Sequence, residues 1–284
     1  MDFWISQAFN GVSYGALLFL FASGLSLIFG VMRIVNLAHG SYYLMAGYLG
    51  LTLMRVKSGY PLAILGAAVI IALLGIFMVR VFLRKLSGND LGQVLITMGF
   101  ALIFQDVALL IWGGDPFTIS VPKALSGTLV LGHLYFPRYR IFIISVAVLI
   151  GFGLWLFQAK TRIGSMIRAA VDHEEMARGM GINVPLVYVG VYALGAFLAA
   201  VAGVIGGGFL SIYPGLDFEI LPYAFVVVIL GGRGSLAGAV VGSLVVGLVD
   251  NFGKVLFPEL SYFTLFAPMV IILAVRPVGL FGKA

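Results

Sequence analysis

The chain contains no cysteine, so disulfides, iron–sulfur clusters and thiolate zinc sites are excluded. Charge is scarce: charged residues make up 10% of 284, where ordinary soluble domains carry about 25%. So few charges cannot cover the surface of a soluble fold of this length. That excludes a cytosolic enzyme, a secreted domain, a disordered regulator and a nucleic-acid binder. A phosphate-binding loop of the GxxxxGKS or GxxxxGKT kind is missing, so any ATP chemistry must come from another subunit. What the chain has in quantity is apolar: 62% hydrophobic residues and 38 glycines, with a mean hydropathy of +1.13. This is the composition of an integral membrane protein.

A helix crossing about 30 Å of hydrocarbon needs roughly 20 apolar residues. Apolar runs fall near 9–31, 37–54, 61–83, 92–112, 140–159, 186–208, 219–231, 236–257 and 260–275. The reading is an all-α polytopic bundle of eight or nine transmembrane segments, in one membrane domain over 1–284. The run at 219–231 is too short to span alone. The start, MDFWISQAFN, carries Asp2 and no early Lys or Arg, so the first run reads as a permanent span rather than a signal peptide.

Placing the N-terminus outside and the C-terminus inside puts 11 of the 17 basic residues on the cytoplasmic side: Arg33, Arg80, Arg84, Lys85, Lys160, Arg162, Arg168, Arg178, Arg233, Arg276 and Lys283. Arg55, Lys57, Lys123, Arg138, Arg140 and Lys254 fall outside or at the outer rim. The net charge of +6 is thus a topology signal. Residues 113–139 alternate β-branched residues with Gly and Pro, and read as an extracytoplasmic hairpin or extended loop. Residues 160–185 are the most polar part of the chain.

Most intramembrane glycines, such as Gly203, Gly206, Gly207 and Gly208, serve close helix packing. Two clusters differ. GVMRIVNLAHGS (30–41) and GGRGSLAG (231–238) interrupt apolar runs with polar side chains. Non-helical backbone at membrane depth survives only against protein or a water-filled cavity, and broken helices expose ends that can hold charged groups of a substrate. Asn36, His39, Gly40 and Ser41 in the first cluster, and Gly231, Gly232, Gly234 and Ser235 in the second, are therefore expected to flank a translocation path. Both clusters run apolar, then glycine and arginine, then "LA", then a small-residue helix, as the halves of an internal duplication would. Gly232, Gly234 and Ala237 mimic a dinucleotide fingerprint, but the following helix is apolar all round and Asp250 comes too soon for the acidic partner.

The acid–base inventory is thin. His133 is separated by topology from His39 and His173, and no nucleophile–base pair or paired carboxylates can be assembled. His39 either bonds a carbonyl freed at the helix break or lines the path. Asp106 is the one carboxylate deep in a span, with Gln105 beside it; the two are candidates for the path or for an interhelical hydrogen bond. Asp217, Glu219 and Asp250 are expected near the outer side, in water, and Arg233 at the cytoplasmic rim of the second break.

From 164 to 180 the sequence reads as one amphipathic cytoplasmic helix. Ile163, Met166, Ile167, Ala170 and Val171 share one side; Arg168, Asp172, Glu175 and Arg178 fall mostly on the other. Glu174 precedes Arg178 by four residues, the favourable order for an ion pair, and Gly179 and Gly181 can end the helix.

Three stretches carry a resemblance: GLSLIFGVMRIVNLAHGSYYLMAGY, RAAVDHEEMARGMGINV, and ILGGRGSLAGAVVGSLVVG with the closing RPVGLFG. In order and length they resemble the LivH-type permease subunit of bacterial branched-chain amino-acid ABC importers. The resemblance implies a non-enzymatic inner-membrane subunit working with a second, LivM-type permease, two cytoplasmic ATPases that bind ATP and Mg, and a periplasmic substrate-binding protein. It also implies that the element around 163–181, through Arg168, Ala169, Asp172, Glu174, Glu175, Ala177 and Gly181, is the coupling helix that docks on an ATPase. That element departs from the better-known EAA pattern, because Met176 and a single Ala177 follow Glu175. Composition and topology alone leave open an ion-coupled secondary transporter using Asp106, or a passive channel for a small solute such as urea or an amide.

Overall fold

The computed structural model describes residues 2–32, 34–56, 58–232, 234–276 and 278–282. Each apolar run is helical: α1 (Asp2–Met32), α2 (Ala38–Arg55), α3 (Tyr60–Val81), α4 (Asp90–Trp112), α5 (Arg138–Lys160), α8 (Val184–Gly206), α9 (Leu216–Gly231), α10 (Leu236–Leu256) and α11 (Ser261–Val275). Six of these, α1, α3, α4, α5, α8 and α10, are long and apolar enough to cross a membrane. Helix α2 is more polar, and α9 and α11 are shorter, with Pro222 and Pro268 inside them. The loop before α5 forms an antiparallel hairpin, β1 (Thr128–Leu131) on β2 (Leu134–Pro137). The expected hairpin is therefore present.

Side-chain caps mark where four helices begin. The oxygens of Asn89, Thr161, Asn183 and Ser235 accept from the backbone N–H three residues on, at Gly92, Gly164, Leu186 and Gly238. These bonds satisfy N–H groups that have no partner within the helix.

Apolar surface gains little by moving from lipid to protein, so the bundle must be held by close packing and interhelical hydrogen bonds. Helix α1 is its centre, with α8, α10, α5 and α9 around it. A Cβ at Gly24 would stand 2.5 Å from the Gly195 carbonyl oxygen, and one at Gly15 would stand 2.7 Å from that of Ser243. Glycine there lets α1 touch the backbones of α8 and α10. Tyrosine hydroxyls add cross-links: Tyr60 to Tyr139 at 2.7 Å, and Tyr139 to the Ile205 carbonyl at 2.6 Å.

The expected single helix over 164–180 is two. Helix α6 (Arg162–Asp172) and helix α7 (Glu174–Gly179) are separated by His173, whose backbone is extended at φ −149° and ψ 93°. Both lie at the end of the bundle opposite the hairpin.

Candidate functional site

Helix α2 begins inside the bundle. The His39 ring sits against Phe21, eleven residues before the end of α1, or about 16 Å along that helix. Its Nε2 donates to the Phe21 carbonyl at 3.0 Å, a carbonyl within α1 rather than one freed at the break. The Leu37 N–H donates to Thr97 Oγ1 of α4 at 3.3 Å. At its far end α2 reaches the hairpin side, where Trp112 Nε1 donates to Thr52 Oγ1 at 2.9 Å and Trp112 stacks on Tyr48.

Helix α9 also starts within the bundle, and the two starts meet. Ser41 Oγ donates to Asp217 Oδ2 at 2.7 Å, and Gly40 abuts the Asp217 carbonyl so closely that any Cβ would overlap it. From there α2 runs toward the hairpin and α9 toward the α6–α7 end. Two helix N-termini thus converge on one carboxylate, an arrangement that stabilises negative charge.

Asn36, His39, Ser41 and Asp217 are all buried, as are Tyr42, Tyr43, Tyr48 and Tyr192 around them. Tyr42 and Tyr192 share a 2.9 Å hydrogen bond between α2 and α8. Other polar atoms find none: Nδ1 of His39 and the hydroxyls of Tyr43 and Tyr48 lack a hydrogen-bond partner among the described residues. A buried polar group left so costs about 1–3 kcal/mol. A constellation of this kind is suited to exchanging hydrogen bonds with a polar solute.

The second glycine cluster meets the first at Gly30, away from the Ser41–Asp217 contact. Gly231 and Gly232 end α9, with Gly232 at φ +96°, and Ser235 caps α10. This turn faces the other end of α1, where a Cβ on Gly30 would overlap Gly234. The segment 278–282 folds back onto it: the N–H groups of Leu280 and Phe281 donate to the carbonyls of Leu230 and Gly231 at 2.9 and 3.1 Å. Those are carbonyls that the end of a helix leaves without intrahelical partners. Arg233, expected at the rim of this break, lies outside the described residues.

Two of the sequence expectations are corrected here. Asp217 and Asp250 are not solvated: their exposures are 2% and 3%. Asp250 accepts from Lys254 at 2.7 Å and from the Tyr223 hydroxyl at 3.2 Å. Glu219 is exposed as expected, and accepts from Tyr213. Gln105 is half-buried with Nε2 beside Gly215, whereas the next residue, Asp106, is exposed and is not gathered with the interior cluster.

At the α6–α7 end, Gly164 allows α6 to turn sharply against the last carbonyls of α5. Ile167 packs with Leu27 and Val31 of α1, Leu154 of α5 and Val191 of α8, while Ala170 and Ala177 pack on Val184. Ile163, Met166, Met176 and Met180 stay exposed beside the buried Ile167, Ala170 and Ala177. Arg168 and Glu175 are exposed, Ala169 is half-buried, and Gly181, at φ +84°, closes the unit. The side chain of Asp172 lies outside those described.

Glu174 is the anchor of α7. It accepts from the Tyr188 hydroxyl of α8 at 2.7 Å and from Arg178 at 2.6 Å. The Tyr188 bond above all holds its carboxyl below the ordinary range; partial burial opposes this and Arg178 adds to it. A cavity of about 710 Å³ opens here, among Val31 and Met32 of α1, His173, Glu175, Met176 and Tyr188.

A profile of the family described as the permease component of branched-chain amino-acid transport systems matches residues 7–273. The high-affinity branched-chain amino-acid permease protein BraD of Pseudomonas aeruginosa is 30% identical over 297 aligned positions, covering 99% of this chain and 96% of that protein. The corresponding LivH protein of Escherichia coli K12 is 29% identical, with 99% and 96% covered. The ribose import permease RbsC of the same organism is 25% identical, with 95% and 84% covered. No solved structure matches. On this end-to-end agreement, the chain belongs to the family of branched-chain amino-acid transport permease components.

Proposed function

We propose that this chain is the membrane-spanning subunit of an ATP-driven importer for a branched-chain amino acid or a closely related small polar solute. The observation that carries the reading is the α6–α7 unit. Ile167 seats it on α1, α5 and α8, and Ile163, Met166, Met176 and Met180 are left exposed. Flexible methionines at an exposed apolar patch suit docking to another protein surface. The partner is a cytoplasmic ATPase, two copies of which bind ATP and Mg. Arg168, Ala169, Asp172, Glu174, Glu175, Ala177 and Gly181 shape the docking element, with Glu174 positioning it.

The α6–α7 end is cytoplasmic in this reading. Arg80, Arg84, Lys85, Lys160, Arg162 and Arg168 cluster toward it, as basic residues do on the inner face. The N-terminus is then outside, the hairpin faces the substrate-binding protein, and nine helices lie in the membrane, with α2 and α9 as half-length elements. The α1–α2 and α9–α10 pairs, in contact at Gly30 and Gly234, are the halves of an internal duplication.

ATP binding and hydrolysis move the docking element and bias the permease between outward- and inward-open states. Ile167 bears on α1 near its end, and that end adjoins both glycine clusters. Motion there separates Gly40 from Asp217, opening a path along Asn36, His39, Ser41 and Asp217 in which helix starts and hydroxyls receive the charged ends of an amino acid. No bond in the substrate changes. Met176→Glu with Met180→Glu tests the docking role, because both side chains are exposed and folding should survive. The expected outcome is loss of the ATPase from the purified assembly and about tenfold lower uptake. Wild-type uptake in the double variant would refute it.

A further inference from the structure

Near its end α10 holds a carboxylate and a lysine that differ sharply in exposure. The side chain of Asp250 is 4% exposed, and that of Lys254, one turn on, is 53% exposed. The Lys254 ammonium reaches back to Asp250 Oδ2 at 2.7 Å, while the Tyr223 hydroxyl donates to Oδ1 at 3.2 Å. Two tyrosine rings complete the surround. Lys254 Nζ stands 5.7 Å from the ring centre of Tyr14 and 5.9 Å from that of Tyr223, and the two rings meet at 81°. A carboxylate in the corner of two perpendicular tyrosines is suited to recognising a primary ammonium.

Both rings are half-buried, so the corner is not sealed around the lysine stem. It lies on the hairpin side of the bundle. There Asn251 donates to the Gln7 carbonyl at 2.9 Å, and Phe9 meets Phe136 of β2 edge-on at 4.8 Å. Tyr223 also follows Asp217 by six residues, about 9 Å along α9, so one helix joins the corner to the interior cluster. Arg140 is engaged elsewhere. It donates to Asn10 Oδ1 and sits over Phe209, whose ring stacks on Tyr14.

A buried carboxylate needs a cation beside it at all times, and that requirement selects what can enter. A simple amine would have to displace Lys254, leaving two cations to one carboxylate. A simple acid would draw Lys254 away and leave Asp250 bare. A zwitterion can insert between the two: its ammonium takes the corner, and its carboxylate takes the Lys254 ammonium on a flexible stem. One ion pair then becomes two. We propose that Asp250, Lys254, Tyr14 and Tyr223 form a zwitterion-selective site on the hairpin side, where an α-amino acid docks before it reaches the Ser41–Asp217 cluster. This rests on the reading of the chain as an importer subunit for an amino acid.

The test uses the assembled permease–ATPase complex in detergent, without ATP or binding protein. Its melting temperature is followed against leucine, 3-methylbutylamine and 4-methylpentanoate. In the wild type leucine should raise it saturably, and the amine and the acid should not. Lys254→Met keeps the stem and removes the charge. Leucine should then bind about tenfold more weakly, and the amine should now bind, because Asp250 has lost its cation. Lys254→Met with Asp250→Asn keeps the shape without either charge and should respond to none of the three; it decides the matter even if the single variant fails to fold. A pair that only secures α10 gives the opposite results: the double variant responds to leucine as the wild type does, and no variant gains the amine. Either of those results would overturn the proposal. So would equal shifts by all three compounds in the wild type, or none by leucine at millimolar concentration. None of these readouts requires transport, so failure of the importer reading would show separately, as uptake without ATPase.

Discussion

Glu174 shows how a single side chain sets a larger element in place. Its carboxylate is shared between Tyr188 on α8 and Arg178 on its own helix. Because its value is lowered on folding, the stabilisation is complete above the ordinary glutamate value near ~4.3 and is lost as pH falls through the lowered one. A spin label at Met176→Cys should therefore keep constant mobility from about pH 8 to about pH 5 and loosen only below about pH 4. Adding Glu174→Gln should remove that step. A transition between about pH 6 and pH 7 would contradict the assignment to Glu174. The Glu174–Arg178 pair was legible in the sequence from its spacing; Tyr188 was not, because nothing local links α7 to a residue fourteen positions on. Asn36, His39 and Ser41 were legible as polar residues inside an apolar run. Asp217 was misread, since PGLDFE looks like a rim loop. The usable signal was that α9 is too short to span, so its start must lie inside the bundle.

At the scale of elements, the helices are positioned by small residues more than by apolar burial, because lipid competes for apolar contact. Gly24→Val should force α1 from the Gly195 carbonyl and cost about 1–3 kcal/mol, read as a lower melting temperature in detergent. Gly153→Ala, where a Cβ meets nothing within 4 Å, should leave that temperature unchanged or slightly higher. Equal effects of the two would contradict close packing as the source of stability. Apolar runs located the membrane helices well, since run length and periodicity are local properties. The break between α6 and α7 escaped notice, because the apolar spacing continues smoothly to Val171 and only the extended backbone of His173 interrupts it. Acidic Glu174 and Glu175 in the first turn of α7 were the available hint of a new helix start. That Leu280 and Phe281 would close the end of α9 could not be read locally either, as this joins backbone groups some fifty residues apart.

For the whole molecule, three features lie in series. The α6–α7 unit rests on the end of α1; that end touches the turn between α9 and α10; and α2 and α9 enclose the buried polar cluster. Force applied at one end thus has a packed route to the groups that would meet a solute. The most direct test is ATP-dependent uptake of radiolabelled leucine into proteoliposomes holding this chain, its partner permease, the ATPases and the binding protein, with each component omitted in turn. Uptake that disappears on omitting either the ATPases or the binding protein is the expected result. Uptake by this chain alone, driven by an ion gradient and lost in Asp106→Asn, would contradict the account.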